Sequence, residues 1–354
     1  MAKIVHVVGT GTIGEPLVGL LSRHRRDLGI DEVTFYKHSP RATDRPMIVA
    51  LRHEGARLAV AEDKKADFEK LGIKADLTAT EALERASIVI DCTPEDSGLE
   101  NKETKYKALA AKDKTKRFFA QGSEEGFGTM FALGINDQAV KREEQFFQVV
   151  SCNTHNISVL VKALGLEGER VRLKEGRFVA IRRAGDVGDV KFIQAPKVEK
   201  HKEANGTHHA TDVVNLYKTI NVDLDLYSSA MKLNTPYMHT LWFNLRLDEP
   251  TTKDKIMAKL AGYKYIGLTE KDATNTVFAF AREHGPYGRI LNQTVVSVPS
   301  VAVHPNGREV TGFAFTPQDG NVLLSNIALA TRMLYPDDWE KRMAAFDPYL
   351  LKEW

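Results

Sequence analysis

Six residues near the start, Gly9-Thr10-Gly11-Thr12-Ile13-Gly14, constrain the fold more than any other stretch of the chain. They follow the apolar run Ile4-Val5-His6-Val7-Val8 and precede a segment in which Leu17, Leu20 and Leu21 recur at helical spacing. A strand that turns through glycines straight into a helix opens a doubly wound, Rossmann-type α/β unit. In such a unit Gly9 makes the tight turn, Gly11 lets backbone approach a pyrophosphate, and Gly14 lets the helix pack closely on the strand.

Glu32–Tyr36 and Ser87–Asp91 read as further buried strands of a parallel sheet, the latter breaking at Cys92-Thr93-Pro94, where open α/β sheets place their ligands. Phe118-Phe119-Ala120-Gln121 leaves the same edge through Gly122 and Ser123, so that turn is a candidate cofactor contact. After Tyr36 the chain reads Lys37-His38-Ser39-Pro40-Arg41, with no carboxylate to hold a ribose diol. A cation there accommodates a 2′-phosphate, so Lys37, with Arg41 in reach, favours NADP or the use of both NADP and NAD.

The reactive chemistry centres on Cys152. Phe146–Val150 reads as a strand, and Ile157, Leu160, Val161 and Leu164 recur as a helix, which drops Cys152 onto a first helical turn. Unpaired N–H groups and the positive dipole end favour a thiolate at such a position. The other cysteine, Cys92, sits among apolar neighbours and reads as an inert buried thiol. Two cysteines in all, and an N-terminus that runs directly into a strand without the apolar core of a signal peptide, point to a reducing, cytoplasmic setting.

A nucleophilic thiol needs a base, and His239, at the entrance to an apolar β-rich segment, is the candidate. Arg182 and Arg183 end a strand and offer planar donors to a phosphate or carboxylate, while Gly206-Thr207-His208-His209 leads into a helix N-terminus, a natural anion site. The histidine pair finds no further ligand spacing that completes a zinc site, so no metal is expected.

At 354 residues the chain exceeds one ordinary core. The expected division is a discontinuous nucleotide lobe, 1–151 with 318–354, and an α+β catalytic lobe, 152–317, with a mostly antiparallel sheet. Its expected strands include Val171–Leu173, Arg177–Ile181, Leu241–Leu247 and Val295–Val303, and a final helix spans Val322–Leu334. A formal charge of +2 gives no electrostatic footprint for nucleic acid, and Arg23, Arg25 and Arg26 read as a solvated face. No apolar run approaches the roughly 18 residues that span a bilayer.

In order along the chain, Gly11-Thr12-Ile13-Gly14, Asp91-Cys92-Thr93-Pro94, Gln121-Gly122, Ser151-Cys152-Asn153-Thr154, Arg182-Arg183-Ala184, His208-His209-Ala210 and Pro317-Gln318-Asp319 resemble the landmarks of the archaeal-type (type II) glyceraldehyde-3-phosphate dehydrogenases. The resemblance implies that Cys152 is the thioester-forming nucleophile and His239 the catalytic histidine. It implies that Ser151, Asn153, His208 and His209 contact a small phosphorylated aldehyde, and that Gly9, Gly11, Thr12, Ile13, Gly14, Lys37, Gly122, Ser123, Arg183 and Gln318 serve the cofactor. A phosphorylating reaction follows, aldehyde and inorganic phosphate giving 1,3-bisphosphoglycerate in a homotetrameric enzyme. Three positions depart from the pattern: Thr10 where an aromatic residue is commoner, Ser123 where a glycine is expected, and His155 where a second threonine is expected. Two other readings use the same residues, a phosphorylating semialdehyde dehydrogenase and a non-catalytic nucleotide-binding redox sensor.

Overall fold

The computed structural model describes residues 2–354 apart from Ser123, Glu169, 185–194, Pro236 and Gln318. The chain divides into two compact units, one of Met1–Thr129, Val140–Val149 and Leu323–Asp347, the other of Met130–Ala139, Val150–Val322 and Pro348–Trp354.

In the first unit a parallel sheet runs Leu77–Thr78, Arg57–Val60, Glu32–Tyr36, Ile4–Val8, Ile88–Asp91, Arg117–Gln121 and Phe146–Val149. All five residues of Ile4–Val8 are buried, which is why the sequence there is a continuous apolar run rather than an alternation. The strand order reverses between Ile4–Val8 and Ile88–Asp91, the α/β fold expected from the glycine turn, with its crevice beyond Val8 and Asp91. Gly9 has φ +95°, and a Cβ on it would lie 2.9 Å from the Cys92 carbonyl oxygen. A Cβ on Gly14 would lie 2.0 Å from the Gly9 oxygen, whereas one on Gly11 meets nothing within 4 Å. Gly9 and Gly14 are therefore demanded by packing, and Gly11 keeps space open in front of the helix Gly14–Arg23. The paired amides of Gln121 and Asn326, at 2.9 and 2.7 Å, tie residues 205 positions apart.

The second unit holds a mixed sheet in the order Lys197–Val198, Leu226–Lys232, Leu173–Arg182, His239–Leu247, Glu309–Thr316, Thr294–Ser297 and Ile266–Thr269. Four of these six pairings are antiparallel, as expected. Phe178, Ala180, Leu241, Phe243, Leu245 and Ala314 face one side and are buried with Ile157, Leu160, Val213 and Tyr217 of the helices Cys152–Leu160 and His208–Lys218. Tyr217 also donates its hydroxyl to the Ser158 carbonyl at 2.9 Å, so the two helices are fastened by more than apolar contact.

Two strand expectations need correction. Val295–Val303 is not one strand: Thr294–Ser297 ends at a single 3₁₀ turn, Val298–Ser300, because Pro299 has no N–H for the ladder, and pairing resumes at Ala302–Val303. Val171–Leu173 is also divided, Arg170–Val171 pairing with Leu166–Glu167 while Leu173 starts the ten-residue strand to Arg182. The C-terminal residues add to the sheet edge, Trp354 N–H donating to Leu268 and Leu268 N–H to Lys352, both at 2.8 Å, with the Trp354 indole donating to Asn292 at 2.9 Å.

His6 supplies a pH-dependent term to the first unit. Its Nδ1 lies 2.7 Å from the Thr34 hydroxyl, and burial pushes its pKa down to about 3. Above about pH 6.5 the ring is neutral folded and unfolded; as pH falls toward 3 only the unfolded ring binds a proton. Stability therefore falls across that window by up to about 1.4 kcal/mol per pH unit. In urea titrations from pH 7 to 4, wild type should lose stability more steeply than His6→Asn, which keeps a partner for Thr34. Equal slopes would place the proton uptake elsewhere.

Candidate active site

Cys152 is the first residue of the helix Cys152–Leu160. Ser151 caps it, its extended backbone turning the chain in from the strand and its Oγ accepting from the Thr154 N–H at 3.3 Å and meeting the Thr154 hydroxyl at 2.8 Å. The Cys152 carbonyl accepts from Asn321 Nδ2 at 3.0 Å, and that same amide reaches the Gln293 carbonyl at 3.2 Å. As a residue Cys152 is half-buried. Its ionisation nevertheless runs against the sequence expectation. Burial, with the Asp319 carboxylate adding to it, pushes the thiol up to about 12, against the opposing pull of Arg183, Arg182 and the Asn153 N–H. A helix terminus contributes at most about 2 kcal/mol, and desolvation outweighs it. At rest Cys152 is a thiol.

His239 opens the strand His239–Leu247 and stands in register opposite Thr316. The Thr316 hydroxyl donates to Asn153 Oδ1 at 3.0 Å and accepts from Asn156 Nδ2 at 2.8 Å. One strand end therefore carries both the histidine's backbone partner and the anchor of the helix that Cys152 opens. Asn153 is engaged through its side chain in this buried network, and its backbone N–H is the part directed at the sulfur. The Arg183 N–H donates to His239 Nδ1 at 2.9 Å. Burial, reinforced by Arg183, Arg182 and Lys232, holds His239 well below the usual histidine range, so the ring is neutral. A neutral imidazole that accepts at Nδ1 carries its proton on Nε2. In this tautomer His239 Nε2 is a hydrogen-bond donor.

The two arginines separate. Arg183 is buried and lines a cavity of about 30 Å³ with Met238, Ile290, Pro317 and Asp319. Arg182 lines a cavity of about 610 Å³ with Thr207 and His208. The two line different cavities, yet both act electrostatically on Cys152 and on His239. Arg182 is ion-paired with Glu199. His209 is buried, neither ring nitrogen has a hydrogen-bond partner among the described residues, and burial followed by His208, Arg182 and His239 keeps it neutral. His155 is fully buried and lines neither cavity; its Nδ1 donates to the Ser151 carbonyl at 2.9 Å, and burial lowers its pKa to about 4. It supports the first helical turn from behind.

Asn156, Thr316 and Asn321 were not singled out in the sequence. Their one local signal is polarity in an apolar setting, Thr316 closing the Glu309–Thr316 strand and Asn321 near the start of the helix Gly320–Leu334.

In the first unit the turn Gly9–Gly14 suits a dinucleotide: Gly11 leaves open space at the N-terminus of Gly14–Arg23, and Thr12 and Ile13 sit on that turn, where backbone N–H groups favour a pyrophosphate. Gly122, at φ +56°, is held by its N–H to the Val149 carbonyl at 2.8 Å, and its own carbonyl accepts from Gln148 Nε2 at 2.7 Å. Lys37 is ion-paired with Asp44 at 2.7 Å, a carboxylate that enters from seven residues downstream. Arg41 is exposed beside it. Ser123 and Gln318 lie outside the described residues.

No protein-family model matches the chain. Curated relatives do. The glyceraldehyde-3-phosphate dehydrogenase of Methanobacterium formicicum is 30% identical over 339 residues, spanning 95% of each chain. That of Aeropyrum pernix is 30% identical over 330 residues, 91% of this chain and 90% of the relative. That of Pyrobaculum calidifontis is 29% identical over 313 residues, 87% and 84%. With such identity sustained along nearly its whole length, the chain belongs to the glyceraldehyde-3-phosphate dehydrogenase family.

Proposed function

We propose that this protein is a phosphorylating glyceraldehyde-3-phosphate dehydrogenase of the archaeal type, forming 1,3-bisphosphoglycerate from the aldehyde through a thioester on Cys152. The observation that carries the reading is the linkage of Cys152 to His239: the residue after the nucleophile is bonded to Thr316, and Thr316 is the register partner of the histidine. A bound nicotinamide dinucleotide, NADP or NAD, supplies the hydride acceptor.

The thiol first loses its proton to solvent, a step that Arg182 and Arg183 ease and burial opposes. Sγ then bonds to the aldehyde carbon, and the carbonyl oxygen takes up the charge, accepting from His239 Nε2–H. Departure of hydride from that carbon restores the C=O bond and leaves the thioester, so no proton need be removed from the oxygen. Phosphate attacks the thioester carbon, the C–S bond breaks, and sulfur leaves as thiolate with an acyl phosphate formed. Arg182, His208 and His209 are the groups suited to the substrate's anions. The high thiol pKa disfavours the redox-sensor reading, since oxidation follows thiolate character.

Phosphate-dependent reduction of NADP or NAD with glyceraldehyde 3-phosphate is the direct test. Cys152→Ser should abolish it; undiminished turnover would end the thioester mechanism. His239→Ala should cost about 10²–10³ in kcat, as loss of an oxyanion donor does, with His239→Gln retaining more because its amide still donates. A wild-type kcat limb titrating near pH 6.5 and absent from His239→Gln would restore a base's role.

In the cofactor-free protein, alkylation of Cys152 by iodoacetamide, followed by mass spectrometry of its peptide, should rise about tenfold per pH unit through pH 9 without a plateau, because the thiolate is the reacting form. A plateau near neutrality would mean a preformed thiolate.

Releasing Lys37 should change cofactor choice. Asp44→Asn removes its counter-charge and should tighten NADP relative to NAD, whereas Lys37→Ala should weaken NADP selectively. Unchanged affinity ratios in fluorescence titrations of both variants would remove Lys37 from the cofactor site.

A further inference from the structure

The cleft beside Arg182 is far larger than a single phosphate requires. Its volume is about 610 Å³, within the roughly 300–1,000 Å³ range of sites for drug-sized ligands. Across its floor three cations stand at one register of three adjacent strands: Arg182 pairs with Lys232, and Lys232 pairs with Lys197. Residues paired across a ladder share a face, and like charges set opposite one another are destabilising. Glu199 offsets Arg182 alone. Lys200 and Lys202 also line the cleft, so among the described residues that line it five cations face two carboxylates, Glu199 and Glu203.

Two buried groups at this end of the unit are unfinished. Among the described residues Arg182 Nε has no hydrogen-bond partner, and neither ring nitrogen of His209, which lies beside the cleft residue His208 without lining the cleft itself, has one. The neutral His209 must hold a proton on one of those nitrogens and a lone pair on the other. Of the two, Arg182 lines the cleft, and its N–H is a cost that a bound oxyanion could remove.

We propose that this cleft binds a small molecule carrying two or more linked phosphate groups. The proposal rests on the reading of Arg182 and His208 as anion binders and extends that site along the row to Lys232 and Lys197. Strands lie about 4.8 Å apart, so the row spans roughly 10 Å, too long for one phosphate and suited to a chain of them. Because Arg182 and His208 are shared, the polyphosphate competes with the phosphorylated aldehyde.

The test is calorimetric titration of the whole protein with inorganic tripolyphosphate, without cofactor or aldehyde. Wild type should bind one equivalent. Lys197→Gln/Lys200→Gln should weaken binding by about tenfold or more, with an unchanged melting temperature as the folding control. Lys70→Gln/Lys74→Gln removes the same charge from exposed positions of the other unit and should leave binding intact. Absence of binding by wild type, equal affinity in the cleft variant, or equal loss in the charge-matched control would each overturn the proposal. The measurement needs no turnover, so an inactive protein that binds and an active protein that does not are distinguishable outcomes.

Discussion

The Thr316 hydroxyl is the interaction on which the candidate site depends. It is fully buried, gives its proton to Asn153 and receives one from Asn156, two residues of the nucleophile's helix more than 150 positions away. Its backbone meanwhile pairs with His239. Helix and strand could slide past one another on apolar contacts, which are non-directional. A hydroxyl that must satisfy two buried amides fixes one setting, since leaving either unpaired costs about 1–3 kcal/mol. Asn321, holding the Cys152 carbonyl, fixes the helix a second time.

That rigidity bears on the electrostatics. The same burial that locks the network raises the Cys152 thiol and empties His239 of charge. The local rule, that a helix N-terminus makes a thiolate, is correct in sign and too small in size here. Two arginines and an N–H oppose desolvation and Asp319, and they lose.

Much of the fold was legible because local chemistry and tertiary need coincide. Gly9 and Gly14 are demanded by backbone atoms a Cβ would strike, so the turn could be read from six letters. Cys152 could be placed on its helix because apolar spacing changes from that of a strand to that of a helix around it. Pro299 was the visible break in Val295–Val303, and giving it its full weight would have divided the strand correctly. Thr316, Asn321 and the pairing of Lys37 with Asp44 were not legible in the same way. Their meaning lies in partners brought by the fold, and a threonine or asparagine in isolation does not announce a distant carbonyl. His155 illustrates the converse: a histidine beside a nucleophile invites a chemical role, yet its ring turns inward to Ser151.

A common logic connects the charged groups that a ligand would meet. Lys37 is held by Asp44, Arg182 by Glu199, and Cys152 by its own proton. Displacing a partly exposed ion pair costs little, of the order of 0–1 kcal/mol, so phosphate groups can take over the cations with small penalty. Ionising the thiol is the larger demand, because each pKa unit above ambient pH adds about 1.4 kcal/mol. The energetic gate therefore lies at the sulfur rather than at the anion sites. On the proposed mechanism, positive charge that reaches Cys152 on binding would govern turnover more than the affinity of any single phosphate contact.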